Sequence, residues 1–221
     1  MKGKLIVIEG LDGSGKATQA NLLFERLNRN NFDVKKVTFP DYESDSSAPV
    51  RMYLAGKLSD KPDGVNAFAA SSFYAVDRYI SFKTNWEQFY NEGGIVVADR
   101  YTTSNGVHQC SKLPMEEWDS FMDWLYDFEY KKIGIPKPDA VIYLDMSPEV
   151  SQKLMSKRYL GDESKKDIHE KDREYLEKSR KAAYFCVCHD NWTRIKCDDG
   201  ENPLTIEEIA DKIFEVVSKV L

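Results

Sequence analysis

Short apolar runs alternate along the chain with longer segments whose apolar residues recur at helical spacing. Ile95–Ala98 and Ala140–Leu144 are almost wholly apolar, which is typical of strands buried inside a parallel sheet. Because strands and helices alternate without internal repeats, we expect one domain over residues 1–221 with a three-layer, doubly wound α/β fold and a five-stranded parallel sheet. The first predicted strand begins at Leu5, and the other four span Val34–Phe39, Ile95–Ala98, Ala140–Leu144 and Thr193–Cys197. The predicted helices span Thr18–Arg29, Val65–Asn91, Met115–Glu129, 148–158, 169–189 and Ile206–Val220, with one more around Val50–Leu54.

The first strand runs directly into a glycine-rich loop with the spacing of a phosphate-binding motif. Gly10 through Gly15-Lys16 matches the first seven positions of G-x-x-x-x-G-K-[ST]. Glycines let backbone N–H groups turn toward an anion, while Lys16 adds a positive charge and the following helix its positive end. Ala17 occupies the position of the hydroxyl that holds Mg²⁺, so the motif is complete for phosphate and incomplete for metal. The predicted phosphate-binding residues are Gly10, Leu11, Asp12, Gly13, Ser14, Gly15, Lys16, Ala17 and Thr18.

Composition limits the classes of partner that the chain can have. Its 221 residues are 42% hydrophobic and its net charge is -6, which suits one globular domain and disfavours a protein that follows a nucleic-acid backbone. No stretch approaches the roughly 18 apolar residues of a membrane span, and the N-terminus has no signal-peptide core. We therefore expect a cytoplasmic protein without nucleic-acid or membrane partners. Cys110, Cys186, Cys188 and Cys197 lack C-x₂-C spacing, and we expect free thiols, with Cys186 and Cys188 buried or semi-buried.

A second polar cluster follows the third predicted strand. In doubly wound sheets, ligands bind beyond the carboxyl ends of the strands, near the point where the strand order reverses. Asp99 and Arg100 stand at the end of the buried strand Ile95–Ala98. An acid in this place can hold a hydrated cation, and a guanidinium fork can bridge phosphates. A helix cap followed by a salt-bridging arginine is the alternative interpretation.

Five motifs resemble, in their order and spacing, those of thymidylate kinases. The motifs are Ile8-Glu-Gly-Leu-Asp-Gly-Ser-Gly-Lys16, Phe39-Pro40, Asp77-Arg78, Asp99-Arg-Tyr101 and Pro136-Lys-Pro-Asp139. The resemblance implies a P-loop nucleoside monophosphate kinase-like fold with a mobile lid at about residues 157–168. It also implies a homodimer built through the long helices, and transfer of the γ-phosphoryl group of ATP to dTMP with Mg²⁺, giving dTDP and ADP in dTTP synthesis. The acceptor phosphate, with a second pKa near ~6, is already an anionic nucleophile, so the reaction requires no base.

The resemblance also implies roles for individual residues at the phosphates. Lys16 corresponds to the lysine on the donor β- and γ-phosphates, and Arg100 to the arginine that bridges donor and acceptor. Asp12 corresponds to the acid near the acceptor 3′-hydroxyl, and it can also help with the metal. Gly13 stands where some family members carry an arginine in the phosphate loop. We therefore expect a basic residue of the lid, Arg158 first, to reach the donor phosphates.

A third group of residues is expected around the acceptor nucleotide. Asp41 stands where many relatives carry a phosphate-binding arginine, so Arg51, helped by the hydroxyl of Tyr42, is assigned to the acceptor phosphate. Tyr74 matches the ring that stacks on thymine, and Arg78 matches the arginine that reads the base edge. The predicted acceptor-binding residues are Asp12, Phe39, Tyr42, Arg51, Tyr74, Arg78, Arg100, Ser104, Asn105, His108 and Gln109.

Several of these acceptor residues have a structural alternative. Phe39 and Tyr74 are core aromatics in that interpretation, and Arg78 is a solvated charge paired with a nearby acid. Asn105 and Gln109 would then cap backbone groups. His108 stands where relatives often carry an aromatic ring near the sugar 2′ position, so we expect selectivity for deoxyribose to be weaker here.

Four acidic residues are available for Mg²⁺ in the absence of a hydroxyl at position 17. Mg²⁺ keeps several of its waters and needs only one or two protein carboxylates, so Ala17 need not abolish activity. The candidate metal ligands are Glu9, Asp12, Asp99 and Glu170.

Two other functions are consistent with the same motifs. One is a kinase for another (deoxy)nucleotide or for a deoxynucleoside. A nucleoside kinase must activate a hydroxyl, and Glu9 is the candidate base for that step. The other is a non-catalytic nucleotide-binding regulator, which would explain Ala17 and the missing arginine after Phe39-Pro40.

Overall fold

Five parallel strands form the central sheet of the protein. The computed structural model describes residues 2–158 and 173–221. The strands are β1 (Lys4–Gly10), β2 (Val34–Thr38), β3 (Ile95–Asp99), β4 (Ala140–Asp145) and β5 (Thr193–Lys196), in the order β2-β3-β1-β4-β5. Every neighbouring pair is parallel, and Ile6 at the centre pairs with Val97 on one side and Ala140 on the other. The predicted five-stranded parallel sheet is confirmed.

The strand order places the end of β1 at the point where the connections change direction. The chain leaves β1 for the edge strand β2, returns through β3, and then crosses β1 to reach β4 and β5. Ile8 near the end of β1 pairs with Asp99 at the end of β3. The loops that follow β1 and β3 therefore start side by side at the carboxyl edge of the sheet, where a crevice is expected.

Helices pack on both faces of this sheet. Side chains alternate between the faces, as in every strand, so Ile6 and Ile8 join a buried cluster on one face while Leu5 and Val7 join a cluster on the other. The helices are α1 (Lys16–Arg29), α2 (Ala48–Leu54), α3 (Ala67–Ser81), α4 (Glu87–Asn91), α5 (Thr102–Cys110), α6 (Trp118–Tyr126), α7 (Pro148–Arg158), α8 (Arg173–His189) and α9 (Ile206–Val217).

Two predicted helices are interrupted by π-helical turns. The segment predicted as one helix from Val65 to Asn91 is α3 and α4 joined by a π turn over Phe82–Trp86. Helix α6 continues as a π turn over Asp127–Ile133, which ends at Gly134 with a φ of 84°. Wider turns of this kind change which side chains face the core, and they occur often at functional sites.

Helix α5 was not predicted as a helix. Its sequence contains two threonines, an asparagine and a glycine, all of low helix propensity. It packs against α3, α6 and α8, and most of its side chains are buried. Tertiary packing therefore stabilises a helix that local sequence does not favour.

The cysteines and the helices agree in part with the expectations from sequence. Cys110, Cys186 and Cys197 are buried free thiols, but Cys188 is exposed, so the prediction of a buried or semi-buried Cys188 was wrong. Cys186 and Cys188 are two residues apart on α8, about 200° around the helix, so they lie on opposite faces. Among the helices that the structure describes, none is long and apolar enough to cross a membrane.

Candidate active site

A cavity of about 800 Å³ opens at the carboxyl edge of the sheet, beside the ends of β1, β2 and β3. This volume suits a ligand of nucleotide size. Among the described site candidates, Glu9, Gly10, Leu11 and Arg51 do not line it. The predicted residues on its wall are Asp12, Gly13, Ser14, Gly15, Lys16, Ala17, Thr18, Phe39, Tyr42, Tyr74, Arg78, Asp99, Arg100, Ser104, Asn105, His108 and Gln109.

The glycine loop adopts backbone conformations that side chains rarely allow. Gly13 has a φ of 80° and Gly15 a φ of 87°. A Cβ on Gly13 would lie 2.8 Å from the carbonyl oxygen of Ser151, so this glycine also lets α7 pack on the loop. A Cβ on Gly15 would meet nothing within 4 Å, so there the conformation alone requires glycine. No described side chain caps the start of α1, and its first N–H groups are available to an anion in the cavity.

Lys16 reaches back over the loop and is buried. Its Nζ donates to the carbonyl oxygen of Leu11 at 2.9 Å and lies 3.7 Å from Oδ1 of Asp12. Burial and the neighbouring Arg100 together lower the pKa of Lys16 to about 8, although Asp12 and Glu9 act in the opposite direction. Phosphate in the cavity would favour the charged form of this lysine.

Arg100 joins the phosphate loop to α5. It has a φ of 66°, which is uncommon for a residue other than glycine. Its guanidinium forms an ion pair with Asp12 and lies 3.9 Å from Oε1 of Glu9, and Nη1 donates to Oγ of Ser104 at 3.5 Å. Burial disfavours its charge, but the carboxylates of Asp12, Glu9 and Asp99 raise the pKa of Arg100 above its usual value. Arg100 is therefore a permanent cation at the wall of the cavity.

Glu9 is fully buried behind this wall. Its Oε2 accepts hydrogen bonds from Thr103 at 2.6 Å and Ser104 at 2.7 Å, and its Oε1 accepts from the backbone N–H of Gly10 at 3.0 Å. These bonds fix the start of the glycine loop against α5. A carboxylate held this way and outside the cavity is poorly placed to act as a base on a nucleoside hydroxyl.

Asp99 is the predicted metal ligand with the most suitable surroundings among the described residues. It lines the cavity and forms no hydrogen bond or salt bridge through its carboxylate with the parts of the chain at 2–158 and 173–221. Burial raises the pKa of Asp99, and the nearby Lys16 and Arg100 counteract this. No group of three or more metal-binding side chains occurs among the described residues. The site therefore suits a Mg²⁺ ion that keeps most of its waters and has one or two carboxylates as protein ligands.

At the other end of the cavity, Arg78 is held by a buried carboxylate that sequence reasoning missed. Arg78 donates from Nε and Nη2 to the two oxygens of Glu129, at 2.7 and 2.6 Å. Burial disfavours the charge of Arg78, yet Glu129 raises its pKa above the usual value. The alternative of a solvated Arg78 was therefore wrong. Two acids alternate with aromatic residues in Tyr126-Asp-Phe-Glu-Tyr130, a signal that could have pointed to Glu129.

Aromatic rings lie beside this buried pair. Phe39 is buried and packs on Tyr101, with ring centroids 5.9 Å apart, and it also lines the cavity. Tyr74 is half-buried and meets Tyr53 edge to face at 6.5 Å. Both rings thus combine a packing role with a face toward the cavity, so their assignment to the acceptor stays a prediction. The Oε1 of Gln109 is buried on the same wall and has no hydrogen-bond partner in the described chain.

Arg51 lies away from the cavity wall to which it was assigned. Its Nη1 donates to the carbonyl oxygens of Tyr42 at 3.0 Å and Ser44 at 2.7 Å, and to Oγ of Ser47 at 2.6 Å. These bonds shape the segment after Phe39-Pro40, whose peptide bond is cis. All three bonds start from Nη1, and the assignment of Arg51 to an acceptor phosphate stays a prediction.

Asp77 supports the same segment from α3. It accepts from the backbone N–H of Asp41 at 2.9 Å and from Oγ of Ser46 at 2.5 Å, and burial raises the pKa of Asp77. The Asp77-Arg78 pair therefore acts in two directions. Asp77 holds the loop after β2, while Arg78 faces Glu129.

His108 links Arg100 to α8. Its Nε2 lies 3.2 Å from Nη1 of Arg100, and its Nδ1 lies 3.3 Å from the hydroxyl of Tyr175. Arginine can only donate, so Nε2 accepts and a neutral His108 carries its proton on Nδ1. The Tyr175 hydroxyl in turn donates to the carbonyl oxygen of His108 at 3.2 Å. His108 is thus a hydrogen-bonded neighbour of Arg100 as well as a wall of the predicted sugar pocket.

Two predicted residues lie outside the part of the site that can be described. Arg158 is the last residue of α7, and its side chain is not described, as is the case for all of Glu170. Most of the predicted lid at 157–168 falls in the same gap. Their roles stay predictions.

The fold and the site together define a class of protein. A parallel sheet whose first strand ends in a glycine loop, with a lysine and an arginine at the same cavity, is the arrangement of P-loop phosphotransferases. A family model described as thymidylate kinase matches residues 8–213, so the chain belongs to the thymidylate kinase family.

Known proteins and structures agree with this family. The chain is 34% identical over 159 residues to a thymidylate kinase from Caenorhabditis elegans, which covers 68% of this chain and 66% of that protein. It is 29% identical over 223 residues to a thymidylate kinase from Plasmodium falciparum (isolate 3D7), covering 99% and 91%. The solved thymidylate kinase from Candida albicans matches 99% of this chain and 92% of its own with a TM-score of 0.72. Its 21% identity supports the fold alone.

Proposed function

We propose that this chain transfers the γ-phosphoryl group of ATP to the 5′-phosphate of dTMP, giving dTDP and ADP. The observation that carries the proposal is the arrangement of one cavity. Lys16 and Arg100 lie at the wall next to the glycine loop, and Arg78 and Asn105 lie at the wall formed by α3 and α5. One end suits phosphates and the other suits the polar edge of a base.

The proposed reaction is a direct displacement at phosphorus. An oxygen of the dTMP phosphate forms a bond to the γ-phosphorus of ATP as the bond from that phosphorus to ADP breaks. Lys16 and the N–H groups of the glycine loop neutralise the donor phosphates, and Arg100 stabilises the charge between donor and acceptor. No side chain takes up a proton, which agrees with the hydrogen bonds that hold both oxygens of Glu9.

The acids at the cavity fit a magnesium-dependent reaction. Asp99, and Asp12 when it is released from Arg100, would hold Mg²⁺ largely through its waters. When bound, Mg²⁺ supplies positive charge to the donor phosphates. Ala17 contributes no ligand, so this proposal places the protein ligands of the metal on acids.

The donor base has an apolar wall available beyond the glycine loop. Met146, Leu154, Leu204 and Ile206 line the cavity on that side. A planar base can lie on such a surface, which would leave the phosphates on the loop. The assignment of a basic lid residue, Arg158 first, to the donor phosphates stays a prediction.

We also propose that two copies of the chain associate through α3. Phe68, Val76, Tyr79 and Ile80 on this helix are each about 37–44% exposed, which is unusual for large apolar side chains so close together. A second copy with the same face is the simplest occupant, as in a two-fold dimer. Sedimentation of wild type and of Val76→Glu checks this, and a monomeric wild type at micromolar concentration contradicts it. A cytoplasmic location stays a prediction.

A panel of monophosphates tests the proposed function. The purified chain is incubated with ATP, Mg²⁺ and one of dTMP, dUMP, UMP, dCMP or dGMP, and the diphosphate product and ADP are separated by chromatography. We expect dTMP to be the best acceptor. A ribose form of dTMP, compared with dTMP itself, measures how far the pocket beside His108 rejects the 2′-hydroxyl.

A matched variant separates catalysis from simple nucleotide binding. Lys16→Met removes the charge on the donor phosphates and should abolish product formation. A non-catalytic regulator would instead bind ATP and give no diphosphate even as wild type. Equal rates for all monophosphates would contradict selectivity for dTMP.

A further inference from the structure

Glu129 is a buried carboxylate that no step of the proposed reaction uses. It is inaccessible to solvent and lies on the π turn that follows α6. Besides the two bonds from Arg78, Oε2 accepts from Thr102 at 2.9 Å and Oε1 accepts from Nδ2 of Asn105 at 3.2 Å. A buried charge with this many donors is held in one orientation, and it fixes the donors as well.

The bonds to Glu129 determine which atoms of Arg78 face the cavity. Arg78 uses Nε and one N–H of Nη2 for Glu129, and one N–H of Nη1 for the carbonyl oxygen of Tyr101 at 3.3 Å. A guanidinium has five N–H groups, so two are left, and both are donors. Arg78 also lines the cavity, where it can offer a hydrogen bond but cannot accept one.

The same carboxylate determines the orientation of the Asn105 amide. Nδ2 of Asn105 donates to Oε1 of Glu129 and to the carbonyl oxygen of Ser71, each at 3.2 Å. Both partners accept only, so the amide nitrogen must face them and Oδ1 must face the other way. Oδ1 accepts no hydrogen bond from the described residues, and Asn105 lines the cavity. Asn105 therefore presents an acceptor beside the donors of Arg78.

We infer that Glu129 is a positioning residue that makes this pocket select a pyrimidine with a carbonyl at C4 and an N–H at N3 over a pyrimidine with an amino group at C4. A C4 carbonyl accepts from Arg78, and an N3–H donates to Oδ1 of Asn105. Cytosine has the opposite pattern, with an amino donor at C4 and an acceptor at N3, so donor would face donor and acceptor would face acceptor. The inference rests on the proposed function, since it identifies this end of the cavity as the base site.

Glu129→Gln is the sharpest test because it keeps the shape and removes one acceptor. The new amide nitrogen must take the place of Oε1 or Oε2, and in either place it meets an N–H of Arg78 and breaks one of the two bonds that hold the guanidinium. At the Oε1 position it also favours a turned Asn105, whose Nδ2 then points to the base. We expect the ratio of kcat/KM for dTMP to kcat/KM for dCMP to fall by about 10- to 100-fold. The loss should appear mainly in KM for dTMP, while KM for ATP stays near the wild-type value.

Thr102→Val is the matched control. It removes another donor to the same carboxylate, with almost no change in volume, and it leaves Arg78 and Asn105 bonded to Glu129. It should lower thermal stability and retain the ratio between dTMP and dCMP. If the ratio falls in both Glu129→Gln and Thr102→Val, a general loosening of the buried network is the cause and the inference is wrong.

A second variant covers the case in which Glu129→Gln does not fold. Glu129→Asp keeps the charge but is too short to reach both Arg78 and Asn105, so the ratio should fall by a smaller factor than in the glutamine variant. A ratio equal to that of wild type in either folded variant contradicts a role for Glu129 in selectivity. If wild type itself fails to phosphorylate dTMP, the proposed function is wrong, which is a different outcome.

Discussion

Two arginines on the wall of one cavity illustrate two ways of holding a buried cation. Arg78 is 1% exposed and donates hydrogen bonds from two of its nitrogens to one carboxylate, that of Glu129. The side chain of Arg100 is 20% exposed and divides its contacts among Asp12, Glu9, Ser104 and His108. Nearby carboxylates raise the pKa of both arginines although burial opposes this. Both arginines therefore stay charged, and they differ in how readily they can change hydrogen-bond partners.

The two arrangements suit Arg78 and Arg100 to different tasks. A fork locked to one buried acid keeps its remaining donors in place, which suits the reading of a base edge. An arginine shared among several partners at a solvent-accessible wall can exchange them for phosphate oxygens as charge moves during the reaction. Arg100, with a φ of 66°, directly follows β3, so its side chain starts at the carboxyl edge of the sheet.

The largest expected effect comes from removing the exchangeable arginine. Arg100→Met should lower kcat by about 10³-fold or more, because Arg78, the other arginine on the described cavity wall, is held by Glu129. Steady-state assays with ATP and dTMP measure this. Arg100→Lys retains the charge without the fork and should recover only a small part of the rate. Equal kcat for wild type and Arg100→Met would contradict a role in charge transfer.

The locked arginine should instead dominate stability. Glu129→Leu leaves the guanidinium of Arg78 buried without its partner, and we expect the free energy of unfolding to fall by about 3–5 kcal/mol. The double variant Arg78→Met, Glu129→Leu should recover most of this loss, because it removes both charges together. Urea unfolding of the three proteins measures the difference. A double variant as unstable as Glu129→Leu would show that the ion pair is not the cause.

A third effect separates Lys16 from both arginines by pH. Burial lowers the pKa of Lys16 from 10.5 to about 8, so the charge on this lysine is lost as pH rises above 8 while the arginines stay charged. The affinity for ADP should therefore fall by about tenfold between pH 7 and pH 9.5. Calorimetry over this range measures it, and Lys16→Met should bind ADP weakly with little dependence on pH.

The lowered pKa of Lys16 affects stability in the opposite direction: a rise in pH weakens ADP binding but stabilises the fold. In the range from about pH 8 to 10.5, the unfolded chain holds the Lys16 proton that the folded protein has lost. From this group alone, the free energy of unfolding rises with pH across that window. Comparing urea unfolding of wild type and Lys16→Met at pH 7.5 and pH 10 isolates this contribution. A wild-type affinity for ADP that is constant to pH 9.5 would contradict a lowered pKa.

Sequence predicted the parts of this molecule that depend on local patterns. The sheet followed from short apolar runs, and the glycine loop followed from the spacing of Gly10, Gly13 and Gly15. Both are encoded within a few neighbouring residues. Family resemblance added positions such as Arg78 and Asn105, which the structure does place on one cavity wall.

The rest could not be predicted because it depends on contacts between distant segments. Glu129 lies on a π turn that directs it toward Arg78, and no periodicity in the sequence predicts that turn. Helix α5 forms although its residues disfavour helix, because three other helices pack on it. Arg51 donates to the carbonyl oxygens of Tyr42 and Ser44, which its position along the chain did not indicate, and its assignment to a phosphate stays a prediction. Partner choice for long polar side chains is a tertiary property.

The smallest expected effect concerns the missing hydroxyl of the phosphate loop. Ala17 is exposed on the cavity wall, so Ala17→Ser adds a hydroxyl without disturbing the core. If acids such as Asp99 and the bound waters hold Mg²⁺, the serine merely replaces one neutral oxygen by another, and kcat/KM should change by less than about threefold. Ala17→Val, which adds bulk at the same position without an oxygen, is the control for general effects on the loop. A gain of tenfold or more in Ala17→Ser alone would show that metal binding is the weak point of this site, and that Arg100 and Lys16 do not by themselves stabilise the phosphates sufficiently.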